Sequence, residues 1–126
     1  MVLPNGRAPA RDFIEGLDQE AAVRIDAFIE RLRTHGRQMQ GKFVTKLTAH
    51  IFELRVKHHD RIFRVLFFYQ PGMLIVITSG FQKKSDATPP AEIARAERLR
   101  SLWLKHRNRY RITKQEREAL LREVES

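Results

Sequence analysis

Residues 51–57 (IFELRVK), 61–69 (RIFRVLFFY) and 73–81 (MLIVITSGF) decide the fold of this chain. In the first, Phe52, Leu54 and Val56 alternate with Glu53, Arg55 and Lys57. That period of two predicts a strand with one apolar face. The other two are runs of aromatic and β-branched residues, which fit the pleated, half-buried surface of a sheet. His58-His59-Asp60 and Pro71-Gly72 read as tight connections between them. A parallel return needs a crossover of about a dozen residues or more, so the three segments predict an antiparallel meander.

Upstream, the period becomes helical. Pro9 suits the first turn of a short helix carrying Phe13, Ile14 and Leu17, which Gly16 ends. Asp18 reads as the N-cap of a longer helix, in which Leu17, Ala21, Ile25, Phe28, Ile29 and Leu32 form one apolar face and Gly36 is the stop. Lys42–Leu47 is a short β-prone run that can add a fourth strand. Downstream, Gln82–Thr88 reads as a polar, basic loop, and Pro89-Pro90 open a C-terminal helix with Thr88 as its cap. Ile93, Ala96, Leu99, Leu102 and Trp103 are its expected buried stripe. The fold class is therefore α+β: an N-terminal helical hairpin, an antiparallel meander of three to four strands, and a C-terminal helix. One domain is expected over residues 1–106. Residues 107–126 read as an extension with a possible short helix, since Thr113 and Glu116 have capping-box spacing.

The 126 residues suffice for one domain, and the 42% of hydrophobic residues suffice for a core. With no cysteine, the chain has no disulfide scaffold, thiol nucleophile or Cys-based metal site. No apolar run approaches the roughly 20 residues of a bilayer span, and the N-terminus lacks the apolar core of a signal peptide. A cytoplasmic location is the expectation. Lys and Arg number 24 against 15 acidic residues, a formal charge of +9 that favours a polyanionic partner. The excess lies in the strands and the C-terminal third, while residues 1–42 are nearly balanced.

The five histidines show no helical metal-ligand spacing, and adjacent His58-His59 would alternate faces if extended, so no metal site is expected. Arg64 is a lone guanidinium in an apolar strand, where an unpaired charge is expensive. Two readings stay open: an ion pair with Glu53 on the neighbouring strand, or a cation held on an open sheet face to grip a phosphate. Arg55 shares the outward set with Glu53, and Lys83 and Lys84 follow the third strong strand. Phe81 beside them offers a ring for base stacking.

Taken in order, Phe52-Glu53-Leu54-Arg55-Val56, Phe63-Arg64-Val65-Leu66-Phe67-Phe68 and Gly80-Phe81-Gln82-Lys83-Lys84-Ser85-Asp86-Ala87-Thr88-Pro89 resemble the HigB-type toxins of the RelE/ParE superfamily, including their phage-derived relatives. The resemblance covers roughly residues 5–106. It implies a RelE-like fold and the toxin of a type II toxin–antitoxin system, a ribosome-dependent mRNA endonuclease that works without a metal or other cofactor. It also implies a helix-turn-helix, HigA-like antitoxin as partner, besides ribosome and mRNA, and no membrane. Arg64 matches the strand arginine that meets the scissile phosphate in the RelE branch, and Lys83 and Lys84 lie where that branch places its next basic residue. Arg64 and Arg55 would stabilise the phosphate charge with Lys83 or Lys84 assisting, and Glu53, the carboxylate within the strong strands, is the candidate base. Arg95, Arg98 and Lys105 on the basic last helix would face RNA. Family members usually begin with a strand, whereas only Met1–Pro4 precedes Asn5 here. The competing expectation is a non-catalytic inhibitor of the same fold, directed at gyrase, or a simple nucleic-acid-binding module.

Overall fold

A computed structural model describes residues 8–71, 74–83 and 87–105. Met1–Pro4, where family members usually carry a first strand, the Pro71-Gly72 turn, Lys84 and the 107–126 extension lie wholly or partly outside them.

Two helices lead. α1 spans Pro9–Glu15 with Pro in its first turn and Gly16 as its C-cap. α2 spans Gln19–His35; the Asp18 carboxylate caps it by accepting from the Ala21 N–H at 3.3 Å. Gly36 closes α2 at φ +47°, backbone that glycine adopts without steric penalty. A 3₁₀ turn, Gly36–Met39, leads into β1 (Val44–Lys46), β2 (Phe52–His58), β3 (Arg61–Gln70) and β4 (Leu74–Lys83). The sheet order is β1-β2-β3-β4, every pair antiparallel, the expected meander with its fourth strand. The last helix, α3, runs over residues 90–105. No helix among the described residues is long and apolar enough to cross a membrane.

Both faces of the sheet are covered, where a single covered face was expected. On one face, Ile25, Phe28, Ile29 and Leu32 of α2 pack with Leu54, Val56, Phe63, Val65 and Phe67. Each large apolar side chain buried there stabilises by about 1.5–3 kcal/mol, so this face supplies most of the cohesion. On the other face, Ala96 of α3 packs on Ile51, Leu66 and Phe68, with Trp103 edge-on to Phe68 at 5.6 Å. The physical reason is in β3, where Val65, Leu66, Phe67 and Phe68 are buried whichever way they point. Strands buried on both faces read as continuous apolar runs rather than alternating ones. The loop after β1 also grips α3: the Thr48 hydroxyl donates to Glu97 at 2.6 Å and accepts from the Ile51 N–H at 3.0 Å.

Two local departures place the site. The β3–β4 ladder shifts register between Leu66 and Phe67, leaving Thr78 as the extra residue; its hydroxyl donates to the Leu66 carbonyl at 3.0 Å. In addition, β4 continues through Gln82 and Lys83, which pair with Phe63 and Ile62. Lys83 is therefore a strand residue rather than a loop residue, because β3 is long enough to extend the ladder to it.

Candidate functional site

The second sheet face carries the chemistry. Cross-strand partners point to the same side, so the register Arg55–Arg64–Phe81 sets three of the expected site residues in one row across β2, β3 and β4. The next row toward the β2–β3 turn is Lys57–Ile62–Lys83. Arg55 and Lys57 are exposed, while Phe81 is half-buried against the Leu66–Phe68 core.

Arg64 is 9% exposed and ion-paired through Nη1 to Glu53 Oε2. Thr88 completes the cluster. Its hydroxyl donates to Glu53 Oε1 at 2.6 Å and accepts from Arg64 Nη1 at 3.3 Å. The expected capping role of Thr88 is thereby displaced: its hydroxyl faces the sheet, and the Pro89 carbonyl accepts the first helical bonds, from Glu92 and Ile93. Expecting Glu53 to face outward also needs correction. It is 1% exposed, because the chain entering α3 covers it, and both of its oxygens are engaged. Of the two readings of Arg64, the ion pair is present, and the face around it is partly covered rather than open.

Other site residues lie apart. Arg98 and Lys105 line a shallow hollow on the outer side of α3 with Ser101 and Leu102, while Ala96 points to the sheet. Arg95 is exposed as well. None of the three enters the Glu53–Arg64–Thr88 cluster.

Two features escaped the sequence reading. At the edge of β2, a hollow of about 280 Å³ is lined by Arg24, Lys42, Arg55 and Lys57 with Phe28 and Phe43. It gathers four cations from α2, the β1 approach and β2, and the alternation of β2 gave a signal for only two. Glu92, in the first turn of α3, has a carboxylate oxygen that is buried without a hydrogen-bond partner among the described residues. Helical spacing puts Glu92 on the same inward stripe as Ala96.

The sequence profile of the family described as phage-derived protein Gp49-like (DUF891) matches residues 12–101, which take in the whole sheet and the Glu53–Arg64–Thr88 cluster on its second face. The chain belongs to this family. No curated protein matches it. Within this Gp49-like chain the matched region runs from within α1 to within α3 and takes in all four strands.

Proposed function

We propose that this chain is the toxin of a toxin–antitoxin pair of the RelE-like kind, acting in the cytoplasm as a ribosome-dependent mRNA endonuclease with no metal in its chemical step. One observation carries the reading: Arg55 and Arg64 stand directly opposite each other in the β2–β3 ladder, on the face shared with Phe81. Like charges opposite each other destabilise a sheet, and a bound phosphate converts that repulsion into binding. The Gp49-like family and the α+β fold are compatible with a toxin of this kind.

In such a cleavage the 2′-hydroxyl loses its proton and its oxygen attacks the adjacent phosphorus. The P–O5′ bond breaks as the cyclic phosphate forms, and the leaving 5′-oxygen takes up a proton. Arg64 and Arg55 stabilise the charge that builds on the phosphate oxygens, and an arginine holds its proton too tightly to be the base. Glu53, with both oxygens committed, is a positioning residue that fixes the Arg64 guanidinium. Lys83 and Lys84 add positive charge, and Glu92 is the carboxylate assigned to proton transfer. The exposed cations of α3 hold ribosomal RNA, and an HigA-like antitoxin neutralises the chain.

The test is primer extension on mRNA after induced expression, beside growth. Discrete cuts within codons are expected for the wild type. Arg55→Ala, an exposed change, should reduce cutting without loss of fold, and Arg64→Lys should reduce it further. Glu92→Gln should abolish cutting and leave ribosome binding in place. Growth arrest with gyrase-linked DNA damage and intact mRNA overturns the proposal in favour of a non-catalytic inhibitor.

A further inference from the structure

The β2–β3 turn holds a second cluster, on the α2 side of the sheet and separate from the residues above. His58 ends β2 and pairs with Arg61, leaving His59-Asp60 as the two-residue turn. His59 takes φ +57°, the one non-glycine residue with positive φ among those described. That backbone disfavours side chains by roughly 1–2 kcal/mol, so glycine, asparagine or aspartate usually stands there. It also undoes the alternation of an extended strand: the two adjacent imidazoles lie on one side, ring centroids 4.3 Å apart. This corrects the expectation that His58 and His59 could not share an ion. The first turn of α2 brings Glu20 to the same place, with Oε2 3.8 Å from His58 Nε2. One ligand atom from each of Glu20, His58 and His59 falls within 4.8 Å of the others.

We infer that Glu20, His58 and His59 form a binding site for a zinc-class divalent ion that clips the β2–β3 turn to the start of α2. Two imidazoles and a carboxylate are a donor set suited to such ions, and three protein ligands leave one position for water. Ligand atoms about 2.0–2.1 Å from a tetrahedral ion stand roughly 3.3–3.5 Å apart, so the cluster contracts on binding. Glu20 can supply that movement, since its side chain is 79% exposed. His58 is already positioned: its side chain is 13% exposed, and Nε2 is buried with no hydrogen-bond partner among the described residues. Coordination would satisfy that atom. The neighbouring cations are occupied elsewhere, Arg61 in a two-pronged ion pair with Asp18 at 2.6 and 3.2 Å and Arg24 with the Lys57 carbonyl. Glu20 and His58 also line a solvent-open hollow of about 590 Å³ along α2, which gives the ion a path in and keeps the fourth position accessible.

The experiment uses the full chain without a histidine tag, dialysed against Zn²⁺ and assayed for bound metal, with thermal unfolding alongside. One Zn²⁺ per chain is expected, with a rise in Tm. His58→Ala and His59→Asn should each weaken binding tenfold or more, since even residues that only support a metal ligand contribute 10–100-fold. Asparagine accepts the left-handed backbone, so His59→Asn keeps the turn while removing the ligand. Glu20→Gln should weaken binding as well, and His50→Ala should leave it unchanged. A chain that retains no Zn²⁺, or whose binding survives both His58→Ala and His59→Asn, overturns the inference; neither result bears on mRNA cleavage.

Discussion

Replacing Glu53 by Gln isolates the ion pair on which the candidate site rests. The substitution keeps the shape of the side chain and removes its charge. It leaves the Arg64 guanidinium, 9% exposed, facing an amide instead of a carboxylate, and leaves one amide oxygen where two carboxylate oxygens had accepted separately from Arg64 and from the Thr88 hydroxyl. Breaking a buried pair by removing one partner typically costs about 3–5 kcal/mol. For a domain of this size that is a fall in Tm of roughly 10–30 °C and a large share of the whole stability. Arg64→Met should cost a similar amount, because it strands the Glu53 carboxylate, itself 1% exposed. The double variant Glu53→Gln/Arg64→Met loses both charges together and strands neither, so its loss should be well below the sum of the single losses. The assay is urea unfolding of all four proteins, read as a double-mutant cycle with unchanged m-values as the check on two-state behaviour. If either single variant loses less than about 1 kcal/mol, or the losses simply add, Glu53 and Arg64 are not a coupled buried pair and the positioning role of Glu53 fails with it.

Acid should loosen the junction of α2 with the β2–β3 turn. The hydrogen bond from Arg61 lowers the Asp18 carboxyl from its ordinary 3.8 to about 2. A carboxyl depressed on folding contributes stability that is complete above pH 3.8 and is lost as pH falls toward 2. Unfolding curves between pH 5 and 2 should show that loss, and Asp18→Asn should flatten this part of the profile. Gly80→Ala tests the packing of α1 on the sheet. A Cβ at Gly80 would stand 2.5 Å from the Phe13 ring, so the ring must shift. A loss of about 1–3 kcal/mol is expected from overpacking, measured by denaturant unfolding, and Phe13→Leu in the same chain should recover part of it.

Much of the fold was legible because it is local. The helix faces of α1 and α2, the Asp18 cap, the Gly36 stop and the β-strands each follow from side chains within a few positions of one another. The short connections then leave antiparallel pairing as the route for the chain. The basic excess and the spacing of Arg55, Arg64 and Phe81 were equally visible in the sequence.

Tertiary structure decided what those residues can do. Alternation in β2 placed Glu53 with the outward set, but only packing shows that the chain entering α3 buries it and turns Thr88 onto it. The single-covered sheet failed at Leu66 and Phe68, whose burial depends on a helix some thirty residues later. His58 and His59 alternate in any extended strand. The left-handed backbone at His59 brings them together, and the first turn of α2, close only in the folded chain, brings Glu20 to meet them. Sequence thus determined the elements and the charges they carry. The pairing of a buried carboxylate with its arginine, and of two histidines with a distant glutamate, belongs to the tertiary fold, because each joins side chains whose meeting no local preference specifies.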